Sequence, residues 1–206
     1  MDFSALLVLA QPWLDAAGIA VFAISGALAA ARAGQTPVTF AFFAVVTGVG
    51  GGTVRDLLIG APVFWIVSPL VSAVCLSAAG AVWLIPSRWW PSRAIEWFDA
   101  MGIAWYGVYG ASKALDHGVP ALPSVIMGIV TASVGGIIRD ILAHQPSIIV
   151  RPEIYVTAIA LSSATYVTLV SLGANAVLAA TIAVPLGFAL RALAIVKGLA
   201  LPGYRA

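Results

Sequence analysis

Apolar residues run in long blocks along this chain, and polar residues gather in short gaps between them. Seven blocks approach the roughly 20 apolar helical residues needed to cross a bilayer core of about 30 Å. They are 12–31, 38–59, 64–85, 97–116, 122–143, 153–171 and 175–196. The gaps carry helix breakers. Gly34, Gln35 and Pro37 close the first block, Pro62 the second, and Pro86, Ser87 and Pro91 the third. Gly118, Pro120 and Pro123 follow the fourth, and Pro146 the fifth. An uncharged stretch, 154–190, is divided by a turn at Gly173 and Asn175. The pattern predicts an all-α integral membrane protein with seven transmembrane helices and no soluble domain.

Composition strengthens this reading. The 206 residues are 62% hydrophobic and 9% charged, where a soluble domain averages roughly 25% charged. Mean hydropathy is +1.05. The lipid bilayer is the expected surrounding, and a net charge of +2 is too small to suggest a nucleic-acid partner. The single Cys75 excludes an intrachain disulfide and a cysteine metal cluster. The start, MDFSALLVLAQPW, lacks the basic region of a signal peptide. Placing the N-terminus outside puts Arg32, Arg88, Arg93, Arg151, Lys197 and Arg205 inside, against Lys113 outside. Trp13 and Trp65 then fall near the outer interface, and Trp83, Trp89, Trp90 and Trp97 near the inner one.

The chain is also written twice. WLDAAGIA begins at Trp13 and WFDAMGIA at Trp97, an offset of 84 (97 − 13). The same offset carries Gly26 onto Gly110, Thr47 onto Thr131, Gly51-Gly52 onto Gly135-Gly136, Arg55-Asp56 onto Arg139-Asp140, and Pro62 onto Pro146. Each unit holds three crossings, so the second copy enters the membrane from the opposite side. The expected organisation of the single domain 1–206 is an inverted repeat of two three-helix bundles, 12–86 and 96–172, plus a seventh helix over 174–196. Such repeats recur in transport proteins.

The doubled motif is where the chemistry concentrates. GVGGGTVRD (48–56) and ASVGGIIRD (132–140) place glycines beside a charge pair inside apolar segments. Consecutive glycines weaken a helix, so Gly50, Gly51, Gly52, Gly135 and Gly136 are expected to bend or unwind helices two and five. The same small residues suit close packing, through Gly48 and Gly52 and through Ala132 and Gly136. Charges at membrane depth default to a functional reading. Adjacent helical residues do not face one another, so inverted symmetry suggests cross pairs, Arg55 with Asp140 and Arg139 with Asp56. Asp15 and Asp99 are the alternative partners. On helix four, Tyr106, Tyr109, Ser112 and Lys113 recur at spacings of three and four and share one face. Pro185 is expected to kink helix seven, and Arg191 to snorkel inward. No nucleotide-binding fingerprint, zinc-hydrolase pattern or Ser-His-Asp set appears. Neither an enzyme activity, a cofactor nor a tightly bound metal is expected.

With GGGTVRD and GGIIRD separated by a three-helix repeat in a seven-span chain, the sequence resembles the prokaryotic trimeric intracellular cation (TRIC) channels, which overlap the bacterial putative glycine transporters. The resemblance implies a homotrimer in the bacterial inner membrane, with an outside N-terminus and a cytoplasmic C-terminus. It implies one potassium-permeable pore per protomer, between the two bundles and lined by helices two and five. Thr47, Thr53, Thr131 and Ser133 offer hydroxyl oxygens to a potassium or sodium ion. Arg55, Asp56, Tyr109, Lys113, Arg139 and Asp140 complete the candidate pore-lining or gating set. The animal channels carry a KEV-type motif where this chain has GTVRD. A second reading is a secondary transporter for a small zwitterion such as glycine, whose carboxylate would suit arginine and whose ammonium would suit aspartate.

Overall fold

The structure, a computed structural model, describes the backbone of residues 3–150 and 152–202, and side chains within those ranges from residue 16 onward. Among the described residues seven α-helices follow one another: α1 Phe3–Arg32, α2 Pro37–Leu58, α3 Pro69–Leu84, α4 Ala94–Asp116, α5 Ala121–Leu142, α6 Val156–Ser171 and α7 Ala176–Lys197. Short 3-10 turns lie at Ser87–Trp89 and Ile148–Val150. No β-strand forms among the described residues beyond one isolated bridge, Glu153 with Ala200. The ends follow local chemistry. Thr36 caps α2 ahead of Pro37 by accepting from the Thr39 N–H at 3.4 Å. Asn175 caps α7 by accepting from Val177 and Leu178. Gly198, at φ +64, closes α7 in the left-handed region.

Two helices are shorter than their apolar blocks. α3 and α6 have 16 residues each, about 24 Å of helix. Apolar residues at 62–68 and 146–155 are spent instead on segments that fold back toward the ends of α2 and α5. The reason is a carboxylate. Asp56 Oδ2 accepts from the Phe64 N–H at 3.0 Å, and Asp140 Oδ2 accepts from the Ile148 N–H at 2.9 Å. By length and composition α2, α5 and α7 can each cross a membrane, and α3, α6 and the 16–32 part of α1 are shorter apolar helices. α4 has 23 residues but carries Glu96, Asp99, Lys113 and Asp116. The exterior is apolar, with Val38, Leu84 and Leu122 at 79%, 80% and 72% exposure. The interior holds Arg55, Asp56, Asp99, Arg139, Asp140 and Arg191, all buried. This is the reverse of a soluble domain and suits a lipid surrounding.

α2 and α5 cross at the centre, with α1 and α3 against α2, and α4 and α6 against α5. α7, outside the repeat, packs on α4 and α6. α2 and α5 are helical through Gly50, Gly51, Gly52, Gly135 and Gly136, so the chain does not unwind there. The glycines admit a neighbouring backbone. A Cβ built on Gly51 would overlap the Thr131 carbonyl oxygen, and one on Gly135 would overlap the Thr47 carbonyl oxygen. Those two contacts are related by the offset of 84 (131 − 47, 135 − 51). Gly50 faces Gly135 and Ile138, Gly52 faces the Phe64 ring, and Gly136 faces Asp99 and Tyr155. Thr47 meets Gly135 while Gly51 meets Thr131, so α2 and α5 are antiparallel and their C-terminal ends lie on opposite sides of the crossing.

In α7 the helix continues on both sides of Pro185. Arg191 does not snorkel. It is 1% exposed, donates to Glu153 Oε2 at 2.8 Å and lies 5.4 Å from the Tyr155 ring centre. The stretch after α7 turns back to the same place, where Leu201 N–H donates to the Pro152 carbonyl at 2.6 Å.

Candidate functional site

Each Arg-Asp pair sits one turn before its helix ends, where the last carbonyls favour a cation and the chain must leave the helix. At the α2 end, Arg55 Nε donates to Asp56 Oδ1 at 2.8 Å, and both residues are 0% exposed. At the α5 end, Arg139 Nε donates to Asp140 Oδ1 at 2.9 Å. The expected cross pairs are therefore corrected. Adjacent side chains leave a helix about 100° apart, but the arginine stem is long enough to fold back. The aspartate is already fixed near its own helix by the loop N–H on its second oxygen. Distance also forbids crossing. The pairs stand about 6.5 residues beyond the midpoint of the crossing on each side, or roughly 20 Å apart at 1.5 Å per residue.

The two clusters share a frame and differ in their third partners. At the α2 end, Lys113 Nζ of α4 reaches Asp56 Oδ1 at 2.9 Å. The Arg55 guanidinium lies between the rings of Phe64 and Tyr109, at 5.7 and 5.1 Å. At the α5 end, Arg139 reaches Asp99 Oδ1 at 2.7 Å and also donates to Ser25 Oγ. Ser25 is the repeat counterpart of Tyr109, and Ala29 is the counterpart of Lys113 (109 − 25, 113 − 29, both 84). The side chains of Trp13 and Asp15, and residues Arg151 and Arg205, lie outside the described set. Of the two alternative acidic partners, Asp99 meets Arg139, and Asp15 lies outside the described side chains.

The candidate hydroxyls are mostly turned to their own helices. Thr53, Thr131 and Ser133 each donate to the carbonyl four residues earlier, at 2.8, 2.7 and 2.7 Å. Thr53 Oγ1 also accepts from Trp65 Nε1 at 2.9 Å, so Trp65 fastens the returning loop rather than standing alone at an interface. Thr47 Oγ1 is buried beside Gly26 and makes no hydrogen bond among the described residues. The four-residue face expected on α4 divides. Tyr109 and Lys113 turn to the Arg55–Asp56 pair, whereas Ser112 turns to the Tyr166 hydroxyl of α6 at 2.8 Å, because positions 112 and 113 are 100° apart. Tyr106 packs against Phe22, ring centres 5.3 Å apart and planes tilted by 50°.

A cavity of about 280 Å³ opens at the α5 end. Its floor is Asp99, Arg139, Asp140 and Ile148, and its rim includes Arg32, Glu96 and Gln145. Sequence reasoning named neither Ser25, Tyr155 nor Ala29. The offset that pairs Ser25 with Tyr109 and Ala29 with Lys113 was the available signal. Nothing local marks Tyr155, whose hydroxyl comes near Gly136 only through the returning loop.

A family model described as Glycine transporter matches residues 12–87 and again 96–171. The UPF0126 inner membrane protein YadS of Escherichia coli (strain K12) is 42% identical over 149 residues, covering 71% of this chain and 72% of that protein. A UPF0126 membrane protein of Vibrio cholerae is 38% identical over 165 residues, covering 78% of this chain and 68% of that one. Among solved structures, the TRIC trimeric intracellular cation channel orthologue from Rhodobacter sphaeroides is 38% identical, with a TM-score of 0.84 over 91% of this chain and 97% of that one. A structure described as the basis for conductance through TRIC cation channels is 27% identical, also with a TM-score of 0.84, over 93% and 96%.

Proposed function

We propose, from the premise that this chain belongs to the Glycine transporter family and has the fold of the TRIC channels, that it is a membrane cation channel. The finer reading is a homotrimer in a bacterial inner membrane, N-terminus outside, with a potassium-permeable pore in each protomer. The pore would run between the two three-helix units, along the seam of α2 and α5. The observation that carries this reading is the pair of matched, buried Arg-Asp clusters at opposite ends of that seam. Intramembrane charges mark ion paths. Here each arginine is neutralised by its own aspartate, which removes the main objection to a cation path lined by guanidinium groups. Thr47 and Thr131 bring their carbonyl oxygens to the seam, against Gly135 and Gly51, and carbonyl oxygens can replace part of an ion's hydration shell. We read the described conformation as closed, with backbone touching backbone at Gly51 and Gly135 and the Lys113 ammonium seated on Asp56.

A second reading is favoured by the same side chains and by the description of the family model. A guanidinium beside a carboxylate suits a zwitterion such as glycine. One experiment separates the two. Purified protein is reconstituted into a planar bilayer under a potassium gradient. Unitary currents reversing near the potassium equilibrium potential support the channel. Silence there, with saturable glycine uptake into liposomes, overturns it in favour of the transporter.

A further inference from the structure

The two halves of the chain answer one question differently: what stands against the Arg-Asp carboxylate. At the α2 end the third partner is an ammonium, Lys113 Nζ at 2.9 Å from Asp56 Oδ1, carried on a butyl stem from α4. At the α5 end the counterpart residue is Ala29 of α1, and the space is the cavity of about 280 Å³. That is far more room than one water needs. The frames otherwise correspond, since each aspartate takes an arginine on Oδ1 and a loop N–H on Oδ2. Among the described residues of the buried floor, one guanidinium, Arg139, faces two carboxylates, Asp99 and Asp140. Asp99 is 1% exposed, with Oδ1 on Arg139 and the buried Tyr155 hydroxyl as a further neighbour. At the rim, Glu96 is held by Arg93 at 2.8 Å, and the exposed Arg32 guanidinium donates to the Ser92 carbonyl, so both cations stand at the mouth and neither is paired with the floor carboxylates.

We infer that this cavity is a binding site for a primary alkylammonium group, which occupies at Asp99 and Asp140 the place that Lys113 holds at Asp56. The protein itself displays the ligand chemistry in its other half: an ammonium on a flexible apolar stem of four carbons. Ala29 and Ala33 flank the path the stem would take, and Ile148 forms the apolar wall. The inference stands apart from conduction and is read by binding alone.

The test uses the purified full chain in detergent micelles and isothermal titration calorimetry with n-butylammonium chloride. n-Butanol, which has the same stem and no charge, is the control. Saturable binding of one amine per chain is expected, with no comparable butanol binding. Ala29→Lys rebuilds the tethered ammonium and should weaken binding by about tenfold or more, as tenfold is the scale of one good contact. Gln145→Lys changes only an exposed rim residue, so it tests the site even where Ala29→Lys fails to fold. It should weaken binding by about threefold, and Gln145→Glu should strengthen it, as expected for charges at the mouth of a cleft. Absence of saturable amine binding, equal binding of butanol, or an affinity unmoved by both Gln145 substitutions overturns the inference. A chain that fails to conduct potassium yet binds the amine in this pattern leaves it standing.

Discussion

Replacing Gly51 or Gly135 by alanine tests whether these glycines serve packing or bending. A methyl at either position falls within overlap distance of a backbone oxygen on the facing helix, Thr131 O or Thr47 O. A carbonyl in a regular helix cannot rotate away as a flexible side chain can. The helices must therefore part by on the order of 1 Å to restore ordinary contact distances. Overpacking of this kind costs about 1–3 kcal/mol, and the rigid partner argues for the upper end. Alanine also returns about 1 kcal/mol of helix propensity. The net expectation is a loss of roughly 2 kcal/mol for each single variant. The double variant should lose less than the sum, because one parted crossing relieves both overlaps. Gly80→Ala is the internal control. That glycine lies in α3 with nothing within 4 Å of an added methyl, so it should be neutral or slightly stabilising. The assay is reversible unfolding in mixed micelles, followed by exposure of Cys75, the single cysteine, which is fully buried. If Gly51→Ala and Gly135→Ala are as stable as Gly80→Ala, the packing argument fails and the glycines serve flexibility instead.

Three further outcomes follow from the described contacts. Asp56→Asn removes the counter-charge from Arg55 and Lys113 and should destabilise by about 3–5 kcal/mol; adding Lys113→Met should recover part of this in the same unfolding assay, and no recovery would refute the Lys113–Asp56 pairing. Ser112→Ala and Tyr166→Phe should each cost about 1 kcal/mol and be non-additive, since the two hydroxyls share one hydrogen bond; additive losses measured in a double-mutant cycle would contradict it. A maleimide reagent should leave Cys75 unmodified in the folded protein and label it fully after unfolding, as read by mass spectrometry; rapid labelling of the native chain would show that the α2–α3 contact at Gly48 is looser than described.

Much of the architecture was legible because its causes are local or written twice. Seven helices follow from apolar blocks and their breakers, and the offset of 84 pairs Thr47 with Thr131 and Arg55 with Arg139 without any coordinates. The pairing of the charges was not legible. Periodicity placed Arg55 and Asp56 on different faces, but their meeting depends on side-chain length and on a loop N–H arriving from Phe64, eight residues later. The short α3 and α6 were missed for the same reason. Hydropathy does not distinguish an apolar helix from an apolar segment drawn back by a carboxylate. Glycine runs are likewise ambiguous in one dimension, since looseness and close approach use the same residue. The close approach is visible only in the facing carbonyls of Thr131 and Thr47.

The unequal third partners of the two aspartates have a consequence of their own. Two identical units meeting across a two-fold axis make an object with no front and no back. Joining them in one chain releases each copy from the other. This chain has used that freedom at Lys113 against Ala29, at Tyr109 against Ser25, and at Phe64 against Ile148. At one cluster the protein's own ammonium sits on the aspartate while aromatic rings flank the arginine, and the other opens into an acid-floored cup. The two ends of one antiparallel crossing thus carry different chemistry, and exchanging these three residues between halves should move the seated ammonium from one end to the other.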